Sequence, residues 1–425
     1  MFLSKYKYLI ICYLIVFLNN ILFAQNDYSS LTLKKSLEIS VNKNLFLKAD
    51  KINSDISQSD IVTAGLRPNP VFNNQTLQLL SPSNKMGDSK YLLSSYNRQV
   101  WYQITMPIQL MDVRNKKIDF ATKNFEITQK NYLETVRNQY YNVANQWLKI
   151  WKIKMENKIL LEAKETVDTL VHINTNRYKN QAITPIELIR TQLLSDQYRL
   201  QLKTLKIEFE TSLREFSMLL GDTSIFDIEE NDDFVTMETS TNFDSLYEAA
   251  KTKRQDYQIS KLSIELANSN ANLQNALKAP YLELGGVFNP QNLVPYAGFF
   301  ATVSIPIFDK NQGEIQKSKY YIDQSKVLMQ QKELEVKKTI FTALENYKLN
   351  KSNMTNTVSM VLKASTVLNT VRYSYLKGNT SILDFLEAQR SMLETQRMYY
   401  ESVYNYRISY IELLNATGLI VELTN

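Results

Sequence analysis

A stretch of about 59 residues, from position 115 to position 173, contains neither glycine nor proline, and as one helix it would be roughly 90 Å long. That length exceeds the diameter of an ordinary globular domain. Ile118, Phe125 and Tyr132 recur at intervals of seven residues within it. Heptad spacing of this kind predicts that the helix packs lengthwise against other helices, as in a coiled coil. With only 9 glycines and 9 prolines in 425 residues, the chain as a whole is predicted to reverse direction rarely.

The second half of the chain repeats the first. Residues 178–221 align without a gap onto residues 375–418, at a constant offset of 197. Further upstream, Pro107 matches Pro306 at an offset of 199. A repeat of this length indicates a duplicated architecture. We therefore predict a first repeat at 25–221, an acidic linker at 222–244, a second repeat at 245–418 and a short C-terminal tail at 419–425.

The first 24 residues have the features of a secretory signal peptide. Two lysines precede an apolar run at 8–18, and the small residue Ala24 stands where a peptidase would cut. The run is shorter than the roughly 20 apolar residues of a membrane-spanning helix, although a retained membrane anchor is the alternative. Cys12, the only cysteine, lies inside this segment. We therefore expect no cysteine chemistry in the mature chain.

Four segments, each close to a proline, are predicted to be β-strands, and three of them alternate between apolar and polar residues. In one of them, Tyr102, Ile104 and Met106 alternate with Gln103 and Thr105. Such alternation is typical of membrane barrel strands, but a half-buried strand of a soluble sheet gives the same pattern. Because open strand edges in lipid leave unpaired backbone groups, four strands in a membrane would need further copies of the chain. The predicted strands lie at about 70–80, 98–108, 281–289 and 297–307.

Two short segments interrupt the long helices at equivalent places in the two repeats. Thr184 and Ser381 suit helix N-caps, and Pro185 suits the first position of the following helix. Gly378 suits a left-handed helix end. We predict that both segments are the tips of antiparallel helical hairpins.

Charged residues follow both predicted tips. Asp384 and Glu387 are three residues apart and therefore share one face of the second returning helix. Glu187 and Arg190 hold the equivalent positions in the first repeat, and an acid with a base at this spacing suggests that the two side chains pair. A solvated helix end, where acids complement the N-terminal dipole, is the alternative for the two acids.

These features together resemble the TolC-like outer-membrane factors of tripartite efflux systems. The resemblance covers nearly all of the mature chain and includes the motif Ala-Gly-Leu-Arg-Pro-Asn-Pro at 64–70. It also includes Asp-Phe-Leu-Glu-Ala-Gln at 384–389, directly after the second tip. Residues 305–315 are more specifically similar to the CzcC-like branch, which serves heavy-metal and cation exporters.

The resemblance implies a mainly α-helical fold with a small membrane β-barrel. Three copies would form a twelve-stranded barrel in the outer membrane of a Gram-negative bacterium and a helical barrel that extends through the periplasm. The implied partners are outer-membrane lipid, a periplasmic adaptor (membrane fusion protein) and an inner-membrane pump of the RND type. In the trimer, Asp384 and Glu387 would form stacked acidic rings at the periplasmic mouth of the pore. We expect the tips to brace one another or to contact the adaptor through Tyr178, Thr184, Pro185, Tyr375, Gly378, Asn379, Thr380 and Ser381.

Several classes of function are disfavoured by composition. His172 is the only histidine, so one chain cannot hold a multi-histidine metal site, and we expect no metal or other cofactor. No phosphate-binding loop or nucleophile motif is present, which argues against an enzyme. The net charge of +6 is spread along the chain, unlike that of a nucleic-acid-binding protein. The remaining alternatives are a channel for multidrug efflux or type I protein secretion, and a periplasmic coiled-coil adaptor or scaffold.

Overall fold

The computed structural model of the protein describes residues 29–78, 98–230, 240–291 and 294–424. The predicted signal peptide at 1–24 lies outside these residues, as does part of the predicted acidic linker. The helices are α1 (Leu33–Lys43), α2 (Leu45–Gly65), α3 (Val113–Lys179), α4 (Pro185–Leu220), α5 (Phe243–Lys253), α6 (Gln255–Ala276), α7 (Gln312–Leu376) and α8 (Ile382–Thr417), followed by a 3-10 helix at Leu419–Thr424. The strands are β1 (Ser30–Leu31), β2 (Val71–Gln78), β3 (Arg98–Ile108), β4 (Asp227–Ile228), β5 (Leu282–Gln291) and β6 (Val294–Val303).

The chain divides into two compact units, and each unit takes segments from both predicted repeats. The first unit comprises the described parts of Met1–Leu45, Val136–Leu246 and Thr339–Asn425. The second comprises the described parts of Phe46–Thr135 and Tyr247–Lys338.

The core of the first unit follows the heptad pattern of α3. This helix has 67 residues, which corresponds to about 100 Å. Val136, Val143 and Ile150, spaced seven apart, are 8%, 0% and 0% exposed. Burying each such aliphatic side chain contributes roughly 1.5–3 kcal/mol. The long helices are therefore held together by packing along these stripes, because helix propensity alone contributes little.

The helix α4 ends at Gly221, which lies against the junction between α1 and α2. Gly221 has a φ of +74°, a left-handed conformation that side chains with a Cβ rarely adopt. A Cβ at this position would lie only 2.7 Å from the Cα of Asn44, in the junction between α1 and α2. The neighbouring Asp222 forms an ion pair with Lys43 at 2.6 Å, and this contact lowers the pKa of the carboxyl group to about 2. The end of α4 is therefore docked on the α1–α2 junction.

The predicted acidic linker contains a short strand that sequence reasoning missed. β4 pairs in parallel with β1, placing Asp227 opposite Ser30. The carbonyl oxygen of Leu31 accepts hydrogen bonds from Glu229 N and from the indole Nε1 of Trp147, both at 3.1 Å. Trp147 is fully buried. The indole therefore connects α3 to β1, which pairs in turn with β4.

The second unit contains a four-stranded antiparallel sheet in the order β2-β3-β5-β6. Its central pair joins the two halves of the chain, with Ile104 of β3 opposite Gly286 of β5. β2 and β6 are the edge strands. In the described part of the chain, no helix combines the length and the apolar character needed to cross a bilayer.

Candidate functional site

The first helical tip is a compact turn between α3 and α4. Gln181 takes a left-handed conformation with a φ of +58°, and Ala182 N donates to the carbonyl oxygen of Arg177 at 2.8 Å. Thr184 is the N-cap of α4: its Oγ1 accepts from Glu187 N, and its backbone N donates to the Glu187 carboxylate at 3.0 Å. This capping box satisfies two backbone N–H groups that a helix start leaves free.

The second tip has the same geometry at the offset of 197 residues. Gly378 takes the left-handed position with a φ of +79°, and Asn379 N donates to the carbonyl oxygen of Ser374 at 2.9 Å. Ser381 caps α8 and forms a capping box with Asp384. Since hydrogen bonds, left-handed residue and cap all correspond, the two tips are structurally equivalent turns.

The two acids after the second tip, Asp384 and Glu387, are both exposed, and Asp384 also takes part in the cap of α8. The Asp384 carboxylate accepts hydrogen bonds from Thr380 Oγ1 and Ser381 Oγ, each at 2.7 Å, and from Ser381 N at 3.1 Å. These donors lower the pKa of Asp384 below its ordinary value, so this carboxylate stays ionised to lower pH than an ordinary aspartate. The neighbouring Glu387 is exposed on the same helix.

The pairing suggested for Glu187 and Arg190 is not found. The Glu187 carboxylate accepts from the backbone of Thr184 instead, and no ion pair joins it to Arg190 in the described part of the chain. The correction has a local cause, because Glu187 is the third residue of α4 and its side chain folds back to the cap. Arg190, which is exposed, is therefore not neutralised by Glu187.

A buried polar network joins the two hairpins near their tips, and the sequence interpretation missed it. The hydroxyl of Tyr375 donates to Asn174 Oδ1 at 2.8 Å, and Asn174 Nδ2 donates to Thr191 Oγ1 at 3.0 Å. Asn174 and Thr191 are fully buried. The sequence does contain a signal for this network. Asn174 follows Val167 and Leu170 at the spacing of core positions in a coiled coil, so a polar residue stands where an apolar one is expected.

The two equivalent tyrosines differ in exposure. Tyr178 is 43% exposed, whereas Tyr375 is 5% exposed and stacks on Phe385 with ring centroids 5.7 Å apart. The guanidinium group of Arg177 lies 5.1 Å from the Tyr375 ring and donates to the carbonyl oxygen of Leu376 at 3.1 Å. Tyr375 therefore braces the two tips within one chain, which is one of the two roles expected for it from the sequence. The other tip residues, Tyr178, Thr184, Pro185, Gly378, Asn379 and Ser381, are exposed, and Thr380 is half-buried.

Replacing Tyr375 with phenylalanine is expected to destabilise the packing of the two hairpins by about 1–3 kcal/mol, because Asn174 Oδ1 would remain buried without its donor. The denaturation midpoint of the detergent-solubilised protein measures this loss. Tyr178→Phe removes the same hydroxyl from the exposed equivalent and is the matched control, with no change expected. Equal effects of the two substitutions would contradict the bracing role.

The register of the sheet places apolar side chains of all four strands on one face, here called the apolar face. Ile104 lies between Phe72 and Gly286, and Gly286 pairs in turn with Phe299. Large members are well exposed, with Phe299 at 98% and Phe72 at 67%. The apolar side chains of this face include Phe72, Tyr102, Ile104, Met106, Leu284, Phe288, Ala297, Phe299, Ala301 and Val303, and the polar Asn74 and Thr76 of β2 lie on the same face.

The opposite face of the sheet, here called the polar face, carries most of the polar side chains. Gln103 lies between Asn73 and Val287, and Glu283 pairs with Thr302. Contiguous exposed apolar surface on a folded chain marks a surface that contacts a partner or a membrane. The sheet therefore has one mainly apolar face, while the other face carries most of the polar side chains together with Trp101 and Phe300.

Comparison with solved structures shows a shared fold over nearly the whole chain. The structure matches CusC with a TM-score of 0.76 at 15% identity, covering 92% of this chain and 93% of that one. It matches the CmeC outer membrane channel of Campylobacter jejuni with a TM-score of 0.73 at 18% identity, covering 91% and 85% of the two chains. It matches the MtrE outer membrane channel of Neisseria gonorrhoeae with a TM-score of 0.74 at 15% identity, covering 92% and 90%.

A family-level match agrees with this fold. Residues 246–419 match the family model described as outer membrane efflux protein. Among curated proteins, no sequence matches the chain significantly. The structure therefore has the fold of these channel structures, and the second predicted repeat is similar to the outer membrane efflux protein family.

Proposed function

We propose that this chain is one subunit of a homotrimeric outer-membrane duct, a passive exit for substrates that a periplasmic adaptor and an inner-membrane pump deliver. The observation that carries the proposal is the sheet, which has an exposed apolar face and two edge strands, β2 and β6. Backbone groups at such edges must be paired inside a membrane. Three copies, joined edge to edge, would close a twelve-stranded barrel with the polar face inward.

The long helices also present surfaces that copies of the chain would cover. On α4, exposed apolar residues recur every seven positions at Ile186, Leu193, Leu200 and Ile207, which are 54–64% exposed. On α7, a second stripe with the same spacing comprises Tyr320, Val327, Leu334 and Phe341, which are 60–69% exposed. Apolar heptad stripes pack against other helices, and these stripes are left exposed in the part of the chain that the structure describes. They support a helical barrel assembled from several copies.

Cell fractionation and gel migration test the proposal directly. We expect the protein in the outer-membrane fraction, migrating as a trimer before heating and as a monomer after it, and conducting ions in a planar bilayer. A soluble periplasmic monomer without conductance would favour the adaptor or scaffold alternative and would contradict the duct.

The exposed acids at the second tip are proposed to line the periplasmic mouth. A carboxylate about 4 Å from a passing cation contributes roughly 1 kcal/mol in water, and a trimer would present six of them. Changing Asp384 to Asn and Glu387 to Gln together is expected to lower the cation-over-anion permeability ratio severalfold. Reversal potentials in a salt gradient across a planar bilayer measure this ratio.

The matched control removes two exposed acids elsewhere, by changing Asp196 to Asn and Glu208 to Gln on α4. This control should conduct with unchanged selectivity. If the tip variant keeps the wild-type permeability ratio, the acids do not line the mouth.

The client class is proposed to be heavy-metal or other cations, exported by an RND-type pump. Support comes from the similarity of residues 305–315 to the CzcC-like branch. Deleting the gene should then sensitise the cell to metal salts more than to organic drugs. Sensitivity to drugs alone, or loss of a secreted polypeptide, would favour the multidrug or type I secretion alternative.

A further inference from the structure

We propose that the helix-linked end of the sheet binds the phosphate groups of anionic phospholipids in the membrane leaflet on that side. The inference rests on the membrane insertion proposed above. It assigns a ligand chemistry to a group of basic residues that the duct itself does not use.

The register brings the relevant segments together at one end of the sheet. Val71, at the start of β2, pairs with Thr105 near the end of β3. Leu282, at the start of β5, pairs with Ile108 on one side and with Val303 at the end of β6 on the other. All four strands therefore enter or leave the helical part of the second unit at the same end of the sheet.

Basic residues are concentrated in the connecting segments 65–70, 109–117, 277–281 and 304–312, where they outnumber acids by six to two. The two acids, Asp112 and Asp309, accept hydrogen bonds from Asn115 Nδ2 at 2.5 Å and from Asn311 N at 2.9 Å. The six cations, here called the basic belt, are Arg67, Arg114, Lys116, Lys117, Lys278 and Lys310.

None of the belt cations forms an ion pair in the part of the chain that the structure describes. Other lysines of the same unit do, such as Lys123 with Glu265 at 3.0 Å and Lys332 with Glu335 at 2.8 Å. Arg67, Lys278 and Lys310 are exposed. The belt therefore presents unneutralised positive charge at the end of the apolar face.

Two of the arginines share a cleft of about 350 Å³ with the end of β3. Arg114 is held there by its Nε, which donates to the carbonyl oxygen of Gly65 at 2.6 Å, and Arg67 lines the same cleft. Asp112 also lines it, so the cleft is not purely cationic. Paired guanidinium groups suit phosphate oxygens, because their planar N–H groups match phosphate geometry.

Exposed apolar side chains are interleaved with the basic belt, which points to a membrane surface rather than to an acidic protein. Phe308 is 91% exposed, Ile305 77%, Ile307 65% and Leu66 63%. They adjoin Lys310 and Arg67 in sequence, in the segments that connect the sheet to the helices. Apolar side chains beside Lys and Arg are typical of protein segments at the lipid headgroup boundary. There the apolar side chains enter the acyl region, and the basic side chains contact phosphate groups.

The test compares lipid preference of the full protein with that of a triple variant in which Arg67, Lys278 and Lys310 are each changed to Gln. Purified protein is incorporated into mixed phosphatidylcholine and phosphatidylglycerol nanodiscs, and the lipids it retains after detergent exchange are counted by native mass spectrometry. We expect wild-type protein to prefer phosphatidylglycerol and the variant to lose that preference at least about tenfold. The charge-retaining variant Arg67→Lys, Lys278→Arg, Lys310→Arg should keep it.

A matched control changes Lys203, Lys206 and Lys363, which are exposed on α4 and α7 outside the belt, to Gln. This control should retain the wild-type preference.

Equal retention of both lipids by wild-type protein, or equal loss in both triple variants, would overturn the lipid assignment. Competition by inorganic phosphate at constant ionic strength would also overturn it, because it would indicate a site for free anions. If wild-type protein fails to insert into any bilayer, the duct proposal itself fails, and that outcome is visible before any lipid is counted.

Discussion

Replacing Ile104 with lysine is expected to prevent the protein from assembling in the outer membrane. Ile104 lies on the apolar face, is 58% exposed and belongs to β3, which is paired on both sides within one chain. A lysine facing lipid near the bilayer midplane costs about 2–4 kcal/mol, and a trimer would carry three. We expect the heat-modifiable trimer to fall at least about tenfold in the outer-membrane fraction.

The neighbouring residue provides the matched control, because successive side chains of a strand point to opposite faces. Gln103→Lys introduces the same charge on the same strand, but on the polar face beside Asn73. It should assemble at the wild-type level. Equal assembly of both variants, or equal failure, would show that the two faces of the sheet do not have the environments proposed here.

Replacing Trp147 with alanine is expected to produce the largest loss of stability in the first unit, about 3–5 kcal/mol. The side chain is fully buried, and its indole Nε1 holds the carbonyl oxygen of Leu31 at 3.1 Å. Alanine removes the packing and this hydrogen bond together. A lower urea midpoint, followed by far-UV circular dichroism of the detergent-solubilised protein, measures the loss.

Two companion variants separate packing from hydrogen bonding at Trp147. Trp147→Phe keeps most of the buried surface and removes the donor, so we expect an intermediate loss of about 1–3 kcal/mol. Leu161→Ala truncates a residue of the same helix that is 45% exposed, and it should cost much less. A midpoint for Trp147→Ala no lower than that of Leu161→Ala would contradict the anchoring role.

The candidate site was predicted only where local sequence decides geometry. The caps at Thr184 and Ser381 and the left-handed Gly378 follow from chemistry within five residues, and the structure has all three. The pairing of Glu187 with Arg190 was wrong because the cap of α4 engages the carboxylate first. Burial of Tyr375 depends on Asn174, which is 201 residues away, so no local pattern distinguishes it from Tyr178.

In the sheet, too, local sequence predicted some features, whereas contacts between distant segments decided the others. Alternation in β3 predicted two faces, but Trp101 interrupts the pattern, and β2 alternates weakly. The pairing of Phe72 with Ile104, and of Ile104 with Gly286, depends on register between strands that are far apart in the chain. Since a shift of one residue would move every side chain to the other face, only the pairing decides which residues share a surface.

By itself, the sequence determined the long helices, the positions of their ends, the duplicated plan and the strand segments, because heptad spacing, glycine, proline and cap residues act over a few neighbouring positions. The tertiary structure alone decided that Tyr375 is buried, that β1 pairs with β4, and that apolar side chains from four strands share one exposed face. These outcomes depend on contacts between distant segments, and no short window of sequence contains both partners of such a contact.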